Sequence, residues 1–356
     1  METRKSDNIF GSYVFFVTKV IGLWIYDKNM DISKRLLTLA ILIRFIEIIF
    51  SLINIINILK NFENNGNLRT IAILFCLAKL LFVLLNFCHI NSEFREKSLW
   101  KYLAVQKFNR NHFKLTKITL YFVNILFILL LGALVFDVIK KSIPWYLLPD
   151  RLLTIHFYWT FVIVIIHFCT CLQILITLMK EINIEMASMG DQIRTADLRK
   201  IKLLTNQHSC LIDIAEIVNR AFGWQNIIIY SILFIITISS LFGFVRRFTS
   251  DLLIVTIARQ TTIFFLSFGL IVVPVYLCED FKQEVNQFNM KLFYFVKRRF
   301  SDGFQDKLQD ELQFYTIMKR NMSFTAGGCI NLGYPLILSI INSAATFLVI
   351  LIQFTN

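Results

Sequence analysis

A chain of 356 residues that is 56% hydrophobic, with 36 Phe against only 4 Pro, is too apolar for a soluble domain and reads as an α-helical integral membrane protein. A net charge of +13 would suit nucleic acid if the basic residues gathered on one folded polar surface. They lie instead between apolar runs, which excludes that partner.

In chain order, residues 1–35 form an N-terminal segment. Its apolar stretch 14–25 is broken by Lys19 and lacks a small-residue cleavage site, so it reads as an interfacial helix and not as a signal peptide. Seven runs able to span a bilayer follow, at residues 36–59, 68–90, 115–138, 152–179, 226–245, 256–278 and 332–354. The first carries Glu47 and the second Lys79, each 11 residues from the inner end, or roughly 16 Å deep at the helical rise. Antiparallel neighbours would pair these two charges as a structural ion pair, with Arg44 able to share the partner; an ion or ligand contact is the functional alternative.

The third run ends near Asp137, and the loop after it holds Trp145 and Tyr146. His156 and Trp159 share a face of the fourth run, which is long and continues into Lys180 and Glu181. Phe242 and Phe244 follow in the fifth run, and Gln260 and Phe264 in the sixth. Aromatic walls with a few polar groups suit a small organic ligand, so these residues are the expected pocket in the outer half; taken singly, each aromatic is more often a packing or interfacial-belt residue. Between the spans, residues 180–225 and 279–331 repeat apolar side chains at helical spacing, as in Leu211, Ile214 and Val218, or Val285, Phe288 and Leu292.

Catalytic, metal and cofactor chemistry find no foothold. His156 and His167 lie 11 residues apart, and Cys169 and Cys171 point to different sides of a helix. A nucleophile elbow and a phosphate-cradling glycine loop are both missing from the sequence.

Lys and Arg fix the orientation. Of the 37, 27 fall in the N-terminal segment and in or at the edges of the loops after the second, fourth and sixth runs, against 8 in or at the edges of the remaining loops. The positive-inside rule puts the N-terminus in the cytosol and the C-terminus outside, opposite to a G-protein-coupled receptor. The outer loops are too short for a separate binding domain, so recognition falls among the helices.

The seventh run is patterned. At about 100° per residue, Ser339, Asn342, Thr346, Ile350 and Gln353 fall in one stripe of an otherwise apolar helix. Such a stripe faces either a packed helix or an aqueous path. The sequence from Thr346 to Phe354 resembles the signature that closes insect gustatory receptors, a Thr-Tyr pair, five apolar residues and Gln-Phe. Phe324, Thr325, Ala326 and Gly328 resemble that family's entry into the helix. Two departures stand out: Phe347 replaces the usual Tyr, and Gly333 occupies a position where an acid is common.

The resemblance implies an all-α membrane protein of seven transmembrane helices in the plasma membrane, in which extensions of the inner helices hold four like or related subunits together. Residues 1–35 would be the cytosolic N-terminal segment, 36–278 the first six helices with the ligand pocket, 279–331 the cytosolic anchor and 332–356 the pore helix. Four copies of the stripe would line a cation path, with Ser339, Asn342 and Thr346 wetting the wall and Ile350, Gln353 and Phe354 at the outer gate. The partners implied are a small-molecule tastant, membrane lipid and related subunits in a homo- or heterotetramer; the ligand class is a bitter or other small organic compound. A transporter or a metabotropic receptor without its own pore is the rival reading. Transporters carry internal repeats and interrupted helices, and here only Pro274 and Pro335 interrupt a run.

Overall fold

The computed structural model describes scattered residues between positions 38 and 56 and between 77 and 81, then residues 148–189, 195–248, 254–301 and 322–353. The scattered positions are helical, and Ile41, Leu42, Phe45, Leu52 and Ile56 among them are exposed, as befits side chains that meet lipid. The third run, residues 1–35, and Arg44, Glu47 and Lys79 with their expected ion pair lie outside the described residues.

The fourth to sixth runs are parts of three long helices: α1 (Leu148–Ala187), α2 (Thr195–Phe248) and α3 (Ile254–Ser301). Their 40, 54 and 48 residues correspond to about 60, 81 and 72 Å, against about 30 Å of hydrocarbon. Each is therefore half membrane helix and half extension. The sequence marks the joint: α1 is uncharged from 152 to 179 and α3 from 260 to 278, with Lys180 and Glu279 directly beyond, while α2 is uncharged from 221 to 245 with Arg220 on its extension side. The backbone continues through each joint because no proline stands there. The next elements are a small antiparallel hairpin, β1 (Thr325–Ala326) and β2 (Ile330–Asn331), and then α4 (Tyr334–Gln353). At 20 residues, α4 matches the hydrocarbon with nothing left over.

α3 packs along both α1 and α2, and α4 rests on α2 and α3. One apolar core runs from the membrane half into the extensions, including Leu172, Ile232 and Ile271 in the former and Ile201, Val218, Phe288 and Leu292 in the latter. At its centre Phe168 of α1 and Phe281 of α3 meet Phe324, which precedes the hairpin, and Phe168 also meets Phe222 of α2; ring centroids are 5.4 to 6.2 Å apart. Edge and tilted contacts of this kind add to the area that four phenyl rings remove from water.

Polar groups register the extensions. Lys180 of α1 pairs with Asp280 of α3 at 3.1 Å, and Asn183 Nδ2 donates to Glu284 Oε2 at 2.8 Å and to its main-chain oxygen at 3.0 Å. Lys291 Nζ donates back to the Asn183 carbonyl at 3.0 Å, and Lys200 of α2 pairs with Glu185 of α1 at 2.9 Å. Glu284 is almost buried, and the Asn183 amide and Lys180, 3.8 Å from its Oε1, offset the cost of taking its side chain out of water.

His208, in the charged half of α2, is fully buried and stacks on Phe288 with centroids 4.1 Å apart. Burial pushes its imidazole from 6.5 down to about 4, so it is neutral in the folded protein at physiological pH. An unfolded chain takes up that proton more readily. Stability is therefore full above about pH 6.5 and falls as pH drops toward about 4, by up to roughly 3 kcal/mol. Thermal unfolding of detergent-solubilised protein across this window is expected to show the decline, and His208→Phe to flatten its share of it.

Candidate functional site

The seat of α4 is built by the segment resembling the family's helix entry. Thr325 pairs with Asn331 and Ala326 with Ile330, and Leu332 N–H closes the hairpin on the Phe324 carbonyl at 2.8 Å. That bond keeps Leu332 out of the helix, so α4 begins at Tyr334 and not at 332 as the apolar run suggests. Gly327 and Gly328 turn the chain with φ of 56° and 76°, a region that side-chain-bearing residues avoid. Asn219 of α2 clamps the first strand: its Oδ1 accepts the Thr325 N–H at 2.8 Å, and its Nδ2 donates to Thr325 Oγ1 at 3.2 Å. One turn on, a methyl at Gly223 would come within 3.2 Å of the Gly327 nitrogen, so the bare helix surface there admits the hairpin.

From this seat α4 presents two faces. Ile340 and Ala344 are buried, with Leu336, Phe347 and Leu348 partly covered on the same side. Ser339, Asn342, Thr346, Ile350 and Gln353 are all exposed, on an arc centred about 140° from the buried one. Ser343, exposed and one turn beyond Ser339, belongs to the stripe as well. The sequence reading passed over it, although the i, i+4 spacing was legible. Thr346 Oγ1 donates to the Asn342 carbonyl at 2.9 Å, so the hydroxyl satisfies its own proton and turns acceptor lone pairs outward. Since α4 carries no charge, the stripe offers neutral oxygens and amides. A hydrocarbon environment would leave these groups unpaired, so they belong against water or another polar surface.

The expected pocket residues are less gathered. Phe242 is buried in a cluster with Ile238 and Ala344, flanked by Phe347 and Leu348, which makes it a contact between α2 and α4. Gln260 and Phe264 are half-buried on α3, and Phe264 stacks on Phe268 with centroids 6.0 Å apart. His156 and Trp159 fall within α1 and Phe244 within α2, but their side chains lie outside the described ones. Asp137, Trp145, Tyr146 and Phe354 lie outside the described residues altogether. Among the described residues no group of three or more His, Cys, Asp or Glu side chains could hold a metal ion.

Long apolar helices with charged extensions, and a last helix turning polar groups away from its own chain, define a multi-pass helical membrane protein. Residues 30–355 match the family described as 7tm Chemosensory receptor, and the chain belongs to that family. It is a family of receptors, not of enzymes, and its members are multi-pass proteins of the plasma membrane. The fold is similar to that of the insect olfactory receptor OR5 from Machilis hrabei in complex with eugenol, with a TM-score of 0.71 and 12% identity over 96% of this chain and 97% of that one. A second structure of the same receptor gives a TM-score of 0.70 and 13% identity, over 97% of each chain. The seven-helix membrane architecture expected from the sequence is thereby established. Among curated protein sequences the chain has no match.

The two hairpin glycines differ in what surrounds them. A side chain at Gly327 would strike Ile227 Cδ1, whereas Gly328 opens onto free space. Gly327→Ala is expected to cost about 2 to 3 kcal/mol and Gly328→Ala about 1 kcal/mol, the strain of positive φ alone. Paired melting curves in detergent would check the order; equal losses would mean that the hairpin does not lie on α2 as described.

Proposed function

We propose that this chain is a subunit of a tastant-gated, non-selective cation channel of the gustatory type, working as a homo- or heterotetramer with related subunits and opened by a bitter or other small organic compound. The observation that carries this reading is the outward polar stripe of α4. Ser339, Asn342, Ser343, Thr346 and Gln353 are exposed in the single chain, so their polar side chains, including the outward lone pairs of Thr346, face partners beyond it. Four copies about an axis turn the stripe into rings of neutral oxygens that stand in for the hydration of a cation, while rings of Ile350 and Phe354 close the outer end by dewetting. The extensions of α1, α2 and α3, with the segment leading to the hairpin, act as the anchor on which the subunits assemble, and the Lys and Arg distribution supports a cytosolic anchor.

The ligand enters from outside and settles among the helices, with Asp137, Trp145, Tyr146, His156, Trp159, Phe242, Phe244, Gln260 and Phe264 as candidate contacts. That the similar olfactory receptor has been seen with eugenol, a small aromatic alcohol, supports the ligand class. A ligand that fits the open arrangement better shifts the population toward dilated outer ends of α4. Phe242 is suited to pass such a change on, because it already touches Ala344.

The test is current from cells expressing the chain alone or with related subunits, challenged with quinine, caffeine, denatonium and eugenol. Gln353→Ala is expected to change unitary conductance or relative cation permeability by about twofold or more while surface expression is kept. A chain that reaches the surface and binds a compound, yet passes no current in any subunit combination, would turn the reading toward a carrier or a receptor without a pore.

A further inference from the structure

α4 has no acidic residue in its first turn, yet a carboxylate stands at its N-terminus. It belongs to Glu279 of α3, the first charge beyond the uncharged stretch 260–278. A methyl group built on Gly333 would lie 2.5 Å from Glu279 Oε1 and 3.6 Å from its carboxyl carbon, so the carboxylate fills the space that the missing side chain leaves. The Glu279 side chain is only 15% exposed, and the same oxygen lies 3.4 Å from Lys282 Nζ, one turn along α3.

Gly333 directly precedes α4, and its carbonyl accepts the Leu336 N–H at 2.9 Å. The first-turn N–H groups of a helix point back toward this position and give it partial positive charge, which a carboxylate stabilises through space. Gly333 is itself buried, on the side of Ile340 and Ala344 and turned away from the stripe. Glu279 therefore meets the helix end from behind and does not face the exposed polar groups. Five residues earlier in α3, Pro274 removes a main-chain hydrogen bond, so the carboxylate rides on the part of α3 beyond a built-in point of bending.

We propose that Glu279 is a positioning residue for α4: its carboxylate, seated in the gap at Gly333, holds the helix N-terminus and sets how readily the striped helix moves to its conducting position. It changes opening and leaves permeation alone. The seat stands on geometry; the gating half rests on the channel reading above.

Two measurements separate these halves. Thermal unfolding of the purified full chain in detergent, for wild type, Gly333→Ala, Glu279→Ala and the double variant, tests the seat. Gly333→Ala is expected to lower the melting temperature in the wild-type background and to do little once Glu279 is trimmed. An equal loss in both backgrounds would overturn the seat. The second measurement is current evoked by whichever of quinine, caffeine, denatonium or eugenol is active. Glu279→Gln is expected to shift the half-activating concentration by about threefold or more, with unitary conductance and reversal potential unchanged. Carrying the charge on the other helix, as Glu279→Ala with Gly333→Asp, should bring the curve back toward wild type. Altered conductance without a shift, or a shift that the transplanted charge does not reverse, would overturn the gating half. Absence of current from the wild type removes that half together with the channel reading, while the melting series still decides the seat.

Discussion

Phe324 fixes where the last helix begins, and most of what this chain can do depends on that. Its ring lies against Phe168 and Phe281, and Phe168 in turn meets Phe222, so the hairpin cannot shift without opening a hole beside a cluster to which each long helix contributes a ring. Among the described side chains of α4, the buried ones are Ile340 and Ala344. The helix is thus clamped at its first turn and lightly covered beyond it. An element attached in that way pivots about its seat at small energetic cost, because few contacts are lost when its outer end swings.

The long helices supply the rigid frame against which such a pivot has meaning. Their charged halves interlock through Lys180, Asp280, Asn183 and Glu284, a set of partners with defined geometry and not a smooth apolar surface. Their membrane halves share the same backbone, so a displacement in the bilayer is resisted by packing far outside it. Pro274 lies in the membrane half of α3, a few residues short of its charged half, and is the one proline in the interior of the three long helices, since Pro149 stands in the first turn of α1. Rigid extensions, one weakened joint and a lightly held terminal helix together make a two-position device more natural than a continuously deformable one.

Much of the architecture was legible because it obeys short-range rules. Uncharged runs of 20 or so residues announce membrane helices, and a polar residue every three or four positions announces a stripe; both survive intact from sequence to structure, as Ser339, Asn342 and Thr346 illustrate. The seat was not legible. Asn219 and Thr325 are 106 residues apart, and Glu279 meets Gly333 across two different helices, so no local period relates the partners. The apparent deficiency of Gly333, which lacks the acid common at its position, becomes intelligible only when α3 is seen to supply a carboxylate at the same place. The aromatic pocket residues were hard for another reason: the sequence favours a phenyl ring both for binding and for packing, and Phe242 is spent on packing against α4.

On the channel reading proposed above, the composition of α4 follows from standing between two solvents. Leu338, Ile341 and Val349 are exposed on one flank and the polar stripe on the other, a combination that neither a lipid-facing helix nor a core helix needs. Charge on the stripe would have bound a counter-ion tightly or barred insertion, whereas hydroxyls and amides cost less in the closed state. Thr346 shows the compromise in one residue. By donating its proton to the Asn342 carbonyl it tolerates dry surroundings, and by keeping its lone pairs outward it remains useful to a cation once water enters. A helix made this way can be wetted and dried repeatedly without either state being prohibitively costly, which is what the proposed channel would require of its wall.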